Sequence, residues 1–514
     1  MTPMTALSHR AATRPEGTAF IYDEVVWTYH DLLTDAERLS RAFLAYGVRQ
    51  GDRVVLHMSN RPEMAVALYA CFRVGAIACP TNLRFKTAEL REVFQRLQPA
   101  LYLGDEQHYS YVETIEPEIL PREKRFVTGQ GSTYKGSMHW SKLVVDGGRT
   151  RPLPPEPDKD TPAILLTTSG TTGQPKFVTH TPATLSAIAE SYAHHDLDAA
   201  QVVLNSCPMV HASGLCTFLA SMNFGAATVL VERFDPDTVL DQIELHGCTW
   251  MLGLIFMHDA LLERQRKRPR KVSSLRHCIC GGDVCPIPLQ VQFVATFGAP
   301  LRNVWAATEV IGSHVHGLQP GPVTRIAPGA QVRLVDDEGR EVPRGKIGEF
   351  LVRGPYVTVG YWVGPDRIDA ATRNGWYRSG DLMRQGEGDE LWFVGRKKDL
   401  IIRGGSNISP VEVERVLLSH PLVQDAAVFG VPDPVLGQLV AAVVQLSSGV
   451  GDAALDDILR HTKRQLADYK VPEQLLAVDA VPRNPVGKVD RRAAAAGMLS
   501  AGLADPHHMA CLHS

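Results

Sequence analysis

The sequence has no run of about 18 uninterrupted apolar residues, which excludes a hydrophobic membrane-spanning helix. Its first residues, MTPMTALSHRAATRPEG, lack the apolar stretch of a secretory signal. Neither sign of charge is in clear excess: 53 Lys and Arg face 56 Asp and Glu, a formal net charge of -3. That balance gives no general attraction to nucleic acid or to an anionic membrane. Cysteine is sparse. The nine in 514 residues form an odd, scattered set rather than a disulfide framework, and small buried thiols in a reducing cytoplasm are expected. Cys278, Cys280 and Cys285 do cluster, which raises zinc, but no second cluster completes four ligands at a usual spacing. Internal repeats and long low-complexity tracts are also missing.

What is present is the composition of a multidomain globular protein, 44% hydrophobic and 21% charged. Short apolar strands alternate with amphipathic helices. Strands are expected at Arg53–His57, Ala76–Cys79, Leu101–Leu103, Val202–Leu204, Ala227–Val231, Cys248–Leu252 and Leu275–Cys280. Helices are expected over Pro62–Val74, from a Thr87 cap to Leu97, after Thr181-Pro182, and over Asp235–His246. This alternation predicts an α/β fold of stacked, helix-covered parallel sheets. The basic run between Arg264 and Lys271 reads as a solvated helix end. From Gly329 short strands joined by glycine turns predict a small antiparallel or barrel-like β unit. After Arg396 a Ser409/Glu412 capping box, a helix, strands and a further helix predict a compact α+β domain. The expected division is a large N-terminal domain, 1–397, and a small C-terminal domain, 398–514.

The stretch Thr168–Lys176, TSGTTGQPK, lies between the apolar Ala163–Leu166 and FVTH. It predicts a strand, a polar loop and a second strand. Such a loop can turn N–H groups and hydroxyls toward one point and hold a polyphosphate, and it can equally be a surface turn. Gly281-Gly282 ends a strand, where open α/β sheets place ligands. In Trp305–Glu309 a carboxylate beside a hydroxyl suits a Mg2+ that keeps most of its waters, or an acid at a helix N-terminus. In YRSGD, Asp381 follows a glycine turn and can accept both hydroxyls of a ribose, or need no ligand. Gly395–Asp399 puts three cations and an acid at the domain junction, and Lys488 sits on the Pro/Gly-rich loop PRNPVGKVD. Either can simply be solvated.

Taken together, these residues resemble the adenylate-forming superfamily: acyl-CoA synthetases, peptide-synthetase adenylation domains and luciferases. TSGTTGQPK resembles its phosphate-loop signature, WAATE its YGxTE motif and YRSGDL its aspartate motif. GRKKDLIIRGGSNISPVEVE resembles its hinge signature and PRNPVGKVDR its C-terminal lysine motif, all in family order over nearly the whole chain. The loop lacks the Gly-x4-Gly-Lys-Ser/Thr spacing of P-loop NTPases, so it does not imply γ-phosphate transfer. The resemblance implies two steps using ATP, Mg2+ and CoA. A carboxylate attacks the α-phosphorus, giving acyl-adenylate and pyrophosphate; a thiol then takes the acyl group and releases AMP. By position, Thr168, Ser169, Gly170, Thr171, Thr172, Gly173 and Lys176 would form the phosphate loop. Thr308 and Glu309 would bind nucleotide, with Glu309 and Thr168 toward Mg2+. Trp305 would stack on adenine, with Gly281 and Gly282 as a wall of the site. Asp381 and Arg396 would hold the ribose. Lys488 would bridge carboxylate and α-phosphate during adenylation only. Lys398 would be the hinge on which a mobile small domain swings, and Gly404 and Gly405 would line the pantetheine channel. Two departures stand out: Trp305-Ala306 where the family usually has Tyr-Gly, and Ser379 where Thr is more usual.

Pro208–Gly214, PMVHASG, informs on the acid. Amino-acid-activating relatives place an Asp near here to pair the substrate ammonium. His211 instead resembles CoA ligases for fatty and aromatic acids, where it flanks the acyl pocket; otherwise it is a structural histidine. The expected enzyme is an acyl-CoA synthetase of the cytoplasm, monomer or homodimer, with a small carboxylic acid, ATP and CoA as partners. The alternatives are an acyl-AMP ligase loading an acyl carrier protein and a catalytically silent nucleotide-binding protein. The tail from Ala501 to Ser514 suggests no role.

Overall fold

The structure, a computed structural model, describes residues 1–129, 134, 136–146, 151–168, 175–282, 285–316, 322–323, 325–365, 367–404, 406–447, 449–451, 454–484 and 487–500. By backbone proximity the chain divides into two compact units. The first holds Met1–Gln331 and Val352–Tyr377; the second holds Val332–Leu351 and Arg378–Ser514.

Two nine-stranded sheets frame the first unit. In one, a parallel core runs in spatial order Leu301–Ala307, His277–Gly281, Trp250–Leu254, Val202–Asn205, Ala227–Leu230 and Thr18–Tyr22. Antiparallel strands border it: Val310–His316 and Arg325–Ile326 on one side, Val25–Thr28 on the other. In the second sheet the parallel core is Ile164–Thr168, Ile77–Pro80, Arg53–His57, Leu101–Asp105, Arg125–Thr128 and Met138–His139. Its antiparallel border is Lys176–His180, Gly360–Gly364 and Arg367–Asp369.

The two-residue period of a strand explains how both sheets are covered on both faces. Val54, Leu56, Ile164 and Leu166 enter a central hydrophobic cluster, while Val55 and Leu165 enter an outer one. Val203, Trp250 and Ile279 enter the same central cluster, and Leu204, Met251 and Cys278 another outer one. Four helices fill the shared centre: Tyr29–Ala45, Pro62–Val74, Pro182–Ser191 and Ala212–Phe224, which contribute Phe43, Leu68, Ile188 and Phe218 among others. Each large apolar side chain buried this way contributes about 2 kcal/mol of transfer free energy. The sheets are therefore stacked through one helical layer.

Local signals place several elements as expected. Pro62–Val74 and Pro236–His246 are helices, each opening on proline. Other expectations are corrected. The helix Thr87–Leu97 is capped from Lys86, whose N–H donates to Glu89, so Thr87 is already helical. The strand expected at Cys248–Leu252 runs over Trp250–Leu254. The basic run is only partly solvated. Arg270 is almost fully buried, bonded to Asp237 and to Asp241 at 2.9 Å, and Arg264 also meets Asp237 at 2.5 Å. Those arginines clasp the helix Ile255–Lys267 and the loop after it to Pro236–His246. Cys278, Cys280 and Cys285 lie in the apolar outer cluster, and no group of three potential metal ligands occurs among the described residues.

Strands of the β region after Gly329 form a five-stranded sheet. Trp376–Gln385 pairs antiparallel with Leu391–Arg396, and the order continues through Ile347–Arg353 to Gln331–Val335. The last part of the chain folds on the hairpin Val423–Asp433 and Gly437–Leu446, flanked by Ile401–Arg403 and Gln474–Ala477. That hairpin is longer at both strands than its apolar segments alone suggest. Alternation again covers both faces. Val428 and Ala442 pack with Val413 and Ile458, and Phe429 and Val443 pack with Ala494 and Met498. Ser409 caps the helix Pro410–Leu418 by accepting from the Glu412 N–H. The reciprocal half of a capping box is not made, because the Glu412 carboxylate pairs with Lys470 at 2.7 Å.

Candidate active site

Parallel strands bring the expected site residues of the first unit to strand ends. Thr168 ends Ile164–Thr168, Gly281 ends His277–Gly281, and Thr308-Glu309 follows Leu301–Ala307. His211 follows Val202–Asn205 and immediately precedes the helix Ala212–Phe224. Gly282 has φ of 93°, a left-handed conformation that favours glycine at this strand exit.

Two side chains that sequence reasoning missed tie these strand ends together across the sheets. Asn60, just beyond Arg53–His57, is 1% exposed. Its amide donates to the Cys207 and Val231 carbonyls at 2.8 and 3.1 Å, and its oxygen accepts from the Met209 N–H at 2.7 Å. His180, closing Lys176–His180, donates from Nε2 to the Thr308 carbonyl at 2.9 Å. Burial lowers the pKa of this imidazole to about 4, so it is neutral at physiological pH.

Ser169, Gly170, Thr171, Thr172 and Gly173 lie outside the described residues. Their flanks are described: Thr168 stands opposite Lys176 in an antiparallel pair, giving the two expected strands. Thr308 and Glu309 form the turn of a hairpin in which Ala307 pairs with Val310. An acid at a helix N-terminus is thereby replaced by an acid in a two-residue β turn. Trp305 is buried within the strand, and Ala306 sits exposed where the register shifts. The turn is braced from a distance. Thr358 N–H donates to the Glu309 carbonyl at 2.8 Å, and Val310 bridges to Val357. Tyr361 adds a hydroxyl 3.0 Å from Glu309 Oε1, while Lys176 Nζ lies 4.7 Å from its ring centre. The short phrase GYW offered no local sign of this role.

His211 is partly buried. Burial, and then the guanidinium of Arg84, lowers its pKa to about 4. It therefore offers a neutral imidazole rather than a charge. Its loop follows a narrow path. A Cβ on Gly214 would collide with the Cys207 carbonyl oxygen, and Asn205 donates to the Gly214 carbonyl at 2.9 Å.

In the second unit Asp381 and Arg396 are paired across neighbouring strands, with Arg396 Nε 3.2 Å from Asp381 Oδ1. Asp381 lies inside the long strand Trp376–Gln385 rather than after a turn, and is 4% exposed. Its N–H donates to Ser379 Oγ at 3.0 Å, which itself donates to the Phe350 carbonyl at 2.6 Å. A hydroxyl suffices for both bonds, so Ser379 serves where threonine is more usual. Lys397 pairs with Asp337 at 2.6 Å and Glu349 at 3.3 Å, so this cation is not simply solvated. Lys398 is exposed in the single turn Lys397–Asp399. Gly404 N–H donates to the Leu436 carbonyl at 2.8 Å; Gly405 lies outside the described residues. Lys488 closes a small loop in which its N–H donates to Asn484 Oδ1 at 3.0 Å and its carbonyl accepts from Asn484 N–H at 2.8 Å.

Residues 7–362 match the model of the AMP-binding enzymes, and residues 412–488 match that of the AMP-binding enzyme C-terminal domain. The chain belongs to the AMP-binding enzyme family. It is 31% identical to an indoleacetate–CoA ligase of Aromatoleum aromaticum, over 94% of this chain and 95% of that one. It is 32% identical to a medium-chain fatty-acid–CoA ligase of Escherichia coli, over 90% and 84%. An o-succinylbenzoate CoA synthetase from Bacillus subtilis, solved with its acyl-adenylate intermediate, superposes with a TM-score of 0.81 at 29% identity, covering 96% and 97%. An anthranilate CoA ligase solved with anthranoyl-AMP shares the fold, with a TM-score of 0.90 at 24% identity over 98% of each chain.

Proposed function

We propose that the protein is an AMP-forming acid–thiol ligase that converts a fatty or aromatic acid to its CoA thioester. A carboxylate oxygen attacks the α-phosphorus of MgATP, and the bond to the β-phosphate oxygen breaks. Pyrophosphate leaves with the metal. The CoA thiol loses its proton and its sulfur attacks the acyl carbon, breaking the bond to AMP. The carrying observation is the bracing of Lys176 and the Thr308–Glu309 turn in a chain of this family.

The first step brings an anion to a polyanion and expels another, so fixed cations and N–H dipoles must offset the charge. In this reading the Thr168–Lys176 loop holds the departing β- and γ-phosphates. Thr308 and Glu309 meet the nucleotide. A single acidic side chain suits a magnesium ion that arrives on ATP and keeps its waters and phosphate ligands. Among the described residues no set of three potential metal-ligand side chains competes for that ion. When bound, Mg2+ neutralises the leaving pyrophosphate. Trp305 meets adenine, and Gly281 and Gly282 line its surroundings. Asp381 receives the ribose hydroxyls while Arg396 pairs with its carboxylate at 3.2 Å. Lys488 bridges the reacting carboxylate and the α-phosphate.

Residues 1–397 act as the adenylating domain and residues 398–514 as a domain that turns on Lys398 between steps. The exposed single turn at Lys397–Asp399, between the strands Leu391–Arg396 and Ile401–Arg403, supports that hinge. Gly404 and Gly405 then line the path of pantetheine. The neutral His211 and the absence of an aspartate in PMVHASG favour an acid without an ammonium group.

The test is pyrophosphate release across fatty, aromatic and dicarboxylic acids, with CoA and then a phosphopantetheinylated carrier protein as acceptor. A fatty or aromatic acid giving acyl-CoA is expected. Transfer to the carrier alone would make the protein an acyl-AMP ligase. No pyrophosphate with any acid would leave a nucleotide-binding protein without this chemistry.

A further inference from the structure

Tyr361 belongs to the strand Gly360–Gly364, which adds to the second sheet antiparallel to Lys176–His180. In that register it stands opposite Val178. Lys176 is two residues from Val178, so it shares that face and lies diagonally across from Tyr361. The ring face and the hydroxyl therefore address different partners. The ring centre is 4.7 Å from Lys176 Nζ, and the hydroxyl donates to Glu309 Oε1 at 3.0 Å. The hydroxyl of Tyr377 bonds to Tyr361 in turn. Three segments far apart in the chain thus meet on one side chain.

An aromatic face attracts an ammonium group without neutralising it. A neutral phenol orients a carboxylate without cancelling its charge, and leaves the second oxygen available. Carboxylates that meet a metal are characteristically held by such an outer donor.

We infer that Tyr361 is a positioning residue for MgATP, aiming Glu309 at the metal and seating Lys176 against the β- and γ-phosphates. The inference rests on the roles of Glu309 and Lys176 proposed above.

Calorimetric titration tests it without relying on turnover. The α,β-methylene analogue of ATP is titrated at several Mg2+ concentrations, and AMP separately, into the full-length protein and into Tyr361→Phe, Tyr361→Leu and Glu309→Gln. Tyr361→Phe keeps the ring and loses the hydroxyl. It should weaken the analogue about tenfold and raise the Mg2+ needed for half-saturation, with AMP affinity unchanged. Tyr361→Leu should weaken the analogue further, because Lys176 loses its seat. Wild-type analogue and Mg2+ binding in Tyr361→Phe, beside weakened binding in Glu309→Gln, overturns the inference and leaves the Glu309 role standing. An equal loss of AMP affinity in Tyr361→Phe also overturns it, since Tyr361 would then support the fold generally. Wild-type Mg2+ dependence in Glu309→Gln removes the Glu309 role itself, and the metal half of the inference with it.

Discussion

The Thr308–Glu309 turn and the Lys488 loop each present one charged side chain on a tight turn, yet they are held in opposite ways. Glu309 is braced by residues remote in sequence: His180 on the Thr308 carbonyl, Thr358 on its own carbonyl and Tyr361 on its carboxylate. The Lys488 loop is held mainly by its own neighbours. Asn484 bonds both backbone groups of Lys488, and Arg483 donates to the Gly487 carbonyl at 2.9 Å. Arg483 also meets Asp425 at 2.5 Å and Arg491 meets Glu414 at 2.7 Å, both within the second unit. In the proposed reaction, a charge that must stay fixed beside a polyphosphate would gain from distant braces. A lysine needed in only one of its two half-reactions would gain from a mount bonded within its own loop.

The largest expected effect breaks that comparison if it fails. Lys488→Ala should lower pyrophosphate formation by roughly 1,000-fold, about 4 kcal/mol of transition-state stabilisation. Thioester formation from supplied acyl-adenylate should stay within about threefold of wild type. Equal losses in both half-reactions would place Lys488 among the permanently fixed charges. Asp381→Asn should raise the KM for ATP by roughly 30-fold, read by pyrophosphate exchange, because Arg396 then faces a neutral partner and the ribose loses a charged acceptor. An unchanged KM would remove Asp381 from the nucleotide site. Lys398→Pro should slow thioester formation about tenfold while changing adenylation about twofold, since proline fixes φ at the turn. A uniform slowing would count against Lys398 as the hinge.

The smallest effect concerns acid. His180 has its folded pKa lowered to about 4 by burial, against an ordinary value near 6.5. Its contribution to stability is complete above the ordinary value and is lost as pH falls toward the folded value. Between pH 7 and 6 the loss should be about 0.7 kcal/mol, visible as a lower midpoint in urea. His180→Gln should weaken this pH dependence; an identical slope would mean that His180 protonates freely in the folded protein.

Local chemistry was legible in the sequence wherever one residue type decides the outcome. Proline set the starts of Pro62–Val74, Pro236–His246 and Pro410–Leu418, and apolar runs located most parallel strands. Asp381 and Arg396 were each expected at the ribose by resemblance; that they pair with one another comes from register between two strands, which spacing along one chain does not reveal. The hairpin at Thr308-Glu309 was missed because its partner strand, Val310–His316, carries no glycine–asparagine turn signal. Tyr361 and His180 were invisible for a related reason. Each acts through a partner more than fifty residues away, and only the closed sheet brings them together. The basic run misled because its acidic partners, Asp237 and Asp241, lie on the preceding helix.

Asn60 fastens the start of the PMVHASG segment through peptide groups alone: the Met209 N–H and the carbonyl of Cys207 just before it, with the Val231 carbonyl of a neighbouring strand as its third partner. Such a fastening is indifferent to the side chains at positions 208–213. Met209 and Val210 are tied to the central hydrophobic cluster and Gly214 has no room for a side chain, whereas in the proposed reading changes at Pro208, His211 and Ser213 would alter which acid is accepted while the loop keeps its course. In that reading, new substrate preferences would accumulate at those three positions one residue at a time, without each having to re-establish the fold.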